Sequence, residues 1–403
     1  MAIVKPFKAW RPNPEFAKDI ASVPYDVIDT NEARNLAKGK PNSFLHIIRP
    51  EIDVPANTSI YDPKVYQKGR ENLSELLSSE FFTQEESESL YIYCLEMGER
   101  SQTGIFGCIS VEDYENEVIL KHELTRPKKE DDRTKHIVTQ KAHAEPVMMT
   151  FKDTEETTTF MNEYMSSNKP IYDITFEDDV RHVIWKVADY ESLTSSFNRI
   201  PKLYIADGHH RCASAARAAK EFASQNPNHT GDESYNFFPA VLFPVEQMEI
   251  LAYNRIIYSA PDDFLSTLQK EFKVTKNAKP APRQKGTVAL YFEEKWFGLN
   301  LKEPVNDDPA SKLDISLLQD QVLEPFLGIK DQRTDPNIDF VGGIRGTEEL
   351  EKIVDNGEAA LAISMYPTSI EELLDVSDAG QLMPPKSTWF EPKLRSGFLV
   401  HTF

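Results

Sequence analysis

Asp207-Gly208-His209-His210-Arg211 gathers a carboxylate, two imidazoles and a guanidinium around one glycine. The run follows Leu203-Tyr204-Ile205-Ala206, apolar and short enough for a buried strand. It opens an alanine-rich stretch, Ala213 to Phe222, that reads as a helix. A strand, a glycine turn and a helix start bring backbone N–H groups, the positive end of the helix dipole and cationic side chains to one place. That is the chemistry of a phosphate site. His209, His210 and Arg211 stand about 100° apart around a helix, so they cannot converge on one atom. A shared metal is therefore disfavoured, since zinc-binding helices space their histidines at i and i+4. The spacing suits one or two side chains on a phosphate, with Gly208 allowing close backbone approach.

A second constellation runs from Lys121-His122-Glu123 through Arg126-Pro127-Lys128 to Asp131-Asp132-Arg133. It follows the predicted strand Val118 to Leu120, and strand ends are where sites on α/β sheets form. A carboxylate there, Glu123, could take a proton from a substrate hydroxyl. Arg126, Lys128 and Arg133 could neutralise phosphate charge. Taken alone, the segment reads as a solvated charged loop. Tyr25 and Asp26, beside Pro24, could line a substrate pocket with His122, although an aspartate in a tight turn often serves its own backbone. Lys386-Ser387-Thr388 lacks a glycine-rich loop and reads as structural. Neither Gly-x-x-x-x-Gly-Lys-Ser/Thr nor Gly-x-Gly-x-x-Gly occurs, which excludes the common phosphate loops.

The elements that must hold these residues read as a mixed α/β chain. Strands are predicted at Leu90 to Met97, Ile105 to Val111, Val147 to Phe151, His182 to Val187, Lys202 to Ala206 and Ala240 to Val245. Helices are predicted at Pro63 to Ser78, Arg133 to Ala142, Thr157 to Met165, Asp262 to Phe272 and Ile315 to Leu323. Val288 to Phe292 and Trp296 to Leu301 form a hairpin. Trp10-Arg11-Pro12 and Pro24 to Ile28 read as loops. At 403 residues two or three domains are expected, and the segments 1–115, 116–227 and 228–403 divide the pattern. Lys plus Arg number 45 against 65 acidic residues, a formal net charge of −20. Such a chain repels nucleic acid, and the basic run at Arg126 to Lys129 is answered at once by Glu130-Asp131-Asp132. Three cysteines without paired spacing fit a reducing compartment. With no apolar leader and no run of eighteen apolar residues, a cytoplasmic protein without membrane partners is expected; a homo-oligomer is left open.

The two constellations, in this order, resemble the ParB/sulfiredoxin-type superfamily and within it the free serine kinases, which share a His-Glu pair and a later Asp-Gly-His-His-Arg helix start. Nearly the whole chain more closely resembles the family known as domain of unknown function 1015. That resemblance adds Pro24-Tyr25-Asp26-Val27-Ile28 and Met383-Pro384-Pro385-Lys386-Ser387-Thr388. It implies a ParB/sulfiredoxin-like core at 116–227 with additional α/β segments on either side. It also implies Glu123 as general base, Asp207 and His209 at the reacting centre, and Gly208 to Arg211 on nucleotide phosphates. Sulfiredoxins carry a reactive cysteine after the motif glycine, where this chain has His209; Cys212 lies deeper in the helix and reads as a small buried residue. The expectation is a phosphotransferase moving phosphate between ATP or ADP, with Mg²⁺, and the hydroxyl of free serine or a similar metabolite. Run backwards it would dephosphorylate phosphoserine in serine biosynthesis. The alternatives are a nucleotide-binding regulatory or scaffold protein, and a hydrolase of the phosphoserine phosphatase type.

Overall fold

Apolar runs decide the larger sheet. In Leu90–Met97 the first six residues are buried without alternation, as a strand covered on both faces requires. The chain turns at Gly98 and returns antiparallel as Arg100–Ser110. The computed structural model describes residues 2–153 and 155–403. Among them, nine strands form this mixed sheet. Its order is Ile119–Leu120, Leu203–Asp207, Val147–Phe151, Phe237–Pro244, Arg100–Ser110, Leu90–Met97, Val180–Val187 and Tyr172–Thr175, with Val4–Lys5 pairing on Arg100–Ser110 off that path. Leu203–Asp207 runs parallel to Ile119–Leu120, and Phe237–Pro244 parallel to Val147–Phe151; the other pairs are antiparallel.

The expected division into three segments gives way to two compact units. One comprises the chain to Leu120, Thr125–Met248 and Pro392–Phe403; the other comprises Lys121–Leu124 and Glu249–Glu391. A boundary at 115/116 fails because strands from both sides of it share one sheet. The boundary at 227/228 fails because Phe237–Pro244 sits inside that sheet, between Val147–Phe151 and Arg100–Ser110.

In the first unit the helix expected at Arg133 begins at Pro127 and runs to Gln140. Proline at the first helical position forfeits only an N–H that has no intrahelical partner, so the supposed charged loop is a helix. Trp10–Pro12, expected as loop, is a short strand antiparallel to Phe82–Gln84; Pro12 ends it, where a missing donor costs no ladder bond. The segment Pro392–Phe403 also belongs to this unit. Val400 bridges Trp10, Ser396 bridges Ser22, and His401 pairs with His143.

The second unit is built on a six-stranded antiparallel sheet in the order Val274–Lys276, Lys295–Asn300, Thr287–Phe292, Leu361–Met365, Tyr253–Ile257, Ile338–Gly342. The predicted hairpin is present, with Phe292 opposite Lys295. Its two turn residues, Glu293 and Glu294, both have positive φ (50° and 59°), the geometry a two-residue loop needs to match strand twist. The helix Gly346–Asp355 packs Leu350 against Ile256, Tyr291, Trp296 and Ala362. The helix expected over Ile315 to Leu323 is interrupted: Asp314–Leu318 is α-helical, Gln319–Leu323 is a π-turn, and Glu324–Leu327 resumes the α form. No helix among the described residues is long and apolar enough to cross a membrane.

Candidate functional site

The strand Leu203–Asp207 leads through Gly208 into the helix His209–Gln225. Gly208 has φ +113°, and a Cβ there would lie 3.0 Å from Arg211 Nε. Both facts demand glycine. Alanines let the helix lie close to the sheet: Ala215, Ala216 and Ala219 join Cys212 in one core with Leu203, Ile205 and Val147. Burial pushes the Cys212 thiol up despite the Arg211 charge nearby, so it is held as an inert thiol.

The motif's side chains divide their work. His210 Nε2 accepts the Arg126 backbone N–H at 2.9 Å. That bond requires Nε2 unprotonated and places the ring proton on Nδ1. Arg126 stands at the N-cap of the Pro127–Gln140 helix, so His210 ties the two helix starts together. Arg211 is buried. It donates through Nη1 to the Pro146 carbonyl and through Nη2 to Asp207 at 3.1 Å. Burial opposes its charge, but Asp207, Asp26 and Glu145 outweigh that and raise its pKa. Asp207 also faces Lys393 at 3.6 Å. His209, at the first position of the helix, is buried as well.

Arg133 is likewise interior. Its guanidinium holds Asp132 at 2.8 Å, Glu145 at 3.5 Å and the Ile48 carbonyl at 3.4 Å, with its centre 4.1 Å above the Tyr25 ring. Burial works against that charge too, and Asp132, Tyr25 and Glu145 more than restore it. Tyr25 donates its backbone N–H to Glu145 at 3.2 Å, and burial holds its phenol well above the usual range. Glu145 is buried and its pKa is raised by that burial, against the pull of Arg133 and Arg211. The early Tyr25-Asp26 pair and the late Asp207-to-Arg211 motif therefore meet in one ionic cluster. Lys128 stays exposed, its Nζ 4.4 Å over the Tyr61 ring.

His122 and Glu123 belong to the second unit. His122 Nε2 lies 3.3 Å from Thr388 Oγ1, and its carbonyl accepts the Met383 N–H at 2.7 Å. The His-Glu pair and the Met383-to-Thr388 stretch thus come together there. Ser387 caps that stretch internally through the Pro384 carbonyl at 2.6 Å, in keeping with a structural role. Glu123 forms part of the wall of a cleft of about 560 Å³. Glu145, Pro146 and Lys393 escaped the sequence reading. A carboxylate just before the Val147–Phe151 strand could have drawn attention to Glu145; nothing local marks Lys393.

The chain belongs to the family described as Protein of unknown function (DUF1015), whose model matches residues 4–316. No curated protein matches it. Among solved structures it is similar to a free serine kinase in complex with AMP, at 13% identity over 73% of this chain and 91% of that one, with a TM-score of 0.40. SbnI with C-terminal truncation from Staphylococcus aureus gives 12% identity over 73% and 87%, TM-score 0.38. A conserved hypothetical protein from Pyrococcus furiosus gives 14% over 73% and 95%, TM-score 0.36.

Proposed function

We propose that this protein is a small-molecule phosphotransferase that moves phosphate between ATP or ADP and the hydroxyl of free serine or a similar metabolite. The observation that carries the reading is the Gly208 turn. It places the start of a seventeen-residue helix, with its dipole and His209, above a carboxylate already answered by Arg211 and Lys393. Answering Asp207 in this way lowers the like-charge cost of admitting phosphate. Glu123 would be the general base. It is tethered in the chain three residues before Arg126, whose N–H is held by His210.

In the forward direction the Glu123 carboxylate takes the hydroxyl proton as the substrate oxygen forms its new bond to phosphorus. The bond from phosphorus to the nucleotide's bridging oxygen breaks, and the shortened nucleotide leaves with that electron pair. By reversibility the same groups return phosphate from phosphoserine to the nucleotide. Asp207 is committed to two cations, so Mg²⁺, which neutralises phosphate charge, would arrive held by the nucleotide's own oxygens.

The test is ³¹P NMR of the purified protein with Mg²⁺, given serine plus ATP or ADP in one tube and phosphoserine plus ADP in another. A new phosphomonoester, or phosphoserine lost with matching ATP gain, is the expected result, and Glu123→Gln should abolish it while leaving nucleotide binding intact. Phosphoserine lost to free phosphate without ADP would make the protein a hydrolase instead. Nucleotide binding without turnover of either substrate would leave a nucleotide-binding regulatory protein.

A further inference from the structure

Arg255 lies on the strand Tyr253–Ile257 and is fully buried. Its hydrogen-bond partners among the described residues are all neutral. Nε donates to the Gln332 side chain at 3.3 Å, and the other donors go to the carbonyls of Tyr253, Pro385 (3.4 Å) and Lys386 (3.2 Å). Burial pulls its pKa down to about 9, so the site does not favour the charge it holds. An apolar side chain of similar volume would fill the core at lower cost. The guanidinium is therefore explained by what its hydrogen bonds hold.

They hold a loop that is poor at holding itself. Pro384 and Pro385 have no N–H to give, and Lys386 has φ +58°, a left-handed conformation that a lysine adopts only at a cost. Arg255 Nη2 reaches the carbonyls on both sides of that strained residue's Cα. The adjacent carbonyls are taken as well, Pro384 by Ser387 Oγ at 2.6 Å and Ser387 by Thr368 Oγ1 at 3.0 Å. The two ends of the loop close on one residue. The Met383 N–H donates to the His122 carbonyl at 2.7 Å, and Thr388 Oγ1 lies 3.3 Å from His122 Nε2. Met383, Pro384 and Pro385 also wall the cleft that includes Glu123, and so does Gln332. Arg255 thus braces two parts of that wall from behind.

We infer that Arg255 is a positioning residue for the His122-Glu123 pair: it fixes the strained middle of the Met383–Thr388 loop, whose ends grip His122 and so set where Glu123 stands. The inference rests on the phosphotransferase reading for the role of Glu123 as base. The placing of His122 stands on the hydrogen bonds alone.

Two readouts on the full chain test this. His122 is followed by ¹⁵N NMR with labelled histidine, its ring signals assigned by their loss in His122→Gln. In Arg255→Met those signals should move, while those of His136 and His143 in the first unit stay. In the same variant kcat for phosphate transfer should fall about a hundredfold, the cost of a misplacement of roughly 1 Å, with nucleotide KM unchanged. Arg255→Lys keeps a donor but loses the three-way fork; it should fall between, and it carries the test if Arg255→Met does not fold. Leu350→Ala is the control. Leu350 packs with Ile256, whose side chain points to the opposite face of the sheet from Arg255. It should lower Tm and leave both kcat and the His122 signals unchanged. Unmoved His122 signals in the Arg255 variants overturn the inference. So does moved His122 with unchanged kcat, or an equal loss of kcat in Leu350→Ala. If the wild-type chain transfers no phosphate at all, moved His122 signals keep the positioning role and the phosphotransferase reading alone falls.

Discussion

Arg211 in the first unit and Arg255 in the second are both buried, and each donates to a proline carbonyl, Pro146 in one case and Pro385 in the other. Their electrostatic settings are opposite. Arg211 sits among Asp207, Asp26 and Glu145, and its pKa is raised. Arg255 has only neutral acceptors, and burial pulls its pKa down to about 9. Around Arg211 and its neighbour Arg133, charge is already balanced by the protein, so the cluster can act as a rigid base beneath the helix start. Around Arg255 the charge is met by neutral acceptors alone.

Removing a guanidinium from the two settings should therefore differ in cost. Arg133→Leu leaves Asp132 and Glu145 buried without their partner and should destabilise the fold by about 3–5 kcal/mol. Arg255→Leu leaves only neutral carbonyls short of a donor and should cost about 1–3 kcal/mol. Urea unfolding of both variants measures the gap, and a larger loss at Arg255 would break the comparison. Gly208→Ala, which forces a Cβ against Arg211 at φ +113°, should cost about 1–3 kcal/mol and weaken ADP binding. Normal binding in that variant would separate the turn from the phosphate.

Acid should act on the two units with opposite sign. His136, His143, His182 and His401 of the first unit are buried, and burial lowers the pKa of each. Once unfolded they take up protons near pH 6.5, so stability drains from this unit as pH falls below that value. Asp314 of the second unit is raised to about 6 by burial. It binds its proton more readily folded than unfolded, so its contribution grows as pH falls from about 6 towards the ordinary aspartate value. Hydrogen exchange followed from pH 7 to 5 should loosen amides of the first unit first. His401→Phe should blunt that loss, and equal loosening in both units would refute the contrast. The smallest effect is expected in the hairpin: Glu293→Asn with Glu294→Gly suits two positive-φ positions and should stabilise by about 0.5–1 kcal/mol, read as a raised Tm.

The strand, turn and helix around Gly208 were legible because an apolar run, a glycine and an alanine pattern are local signals. The side-chain destinations were not. His210 bonds a backbone amide 84 residues earlier and Arg211 a carbonyl 65 residues earlier, and no periodicity encodes such pairs. Thr30–Ala37 was missed although its capping box, Asp29 with Glu32, was readable; only Ala33 and Ala37 are buried, so the apolar pattern was faint. The division into units was hidden for a related reason. Lys121–Leu124 is too short to show any change of composition, and the return of Pro392–Phe403 to the first unit is purely tertiary.

That return has a consequence for how the molecule is made. Lys393 reaches Asp207, Arg395 reaches Asp178, and Val400 is wholly buried beside Trp10. During synthesis, the first unit emerges almost entire yet must wait, with that seam open, while the whole of Glu249–Glu391 is translated. At about 5–20 residues per second the pause lasts on the order of ten seconds. Through that interval the nascent Gly208 turn lacks Lys393, one of the two cations that answer Asp207.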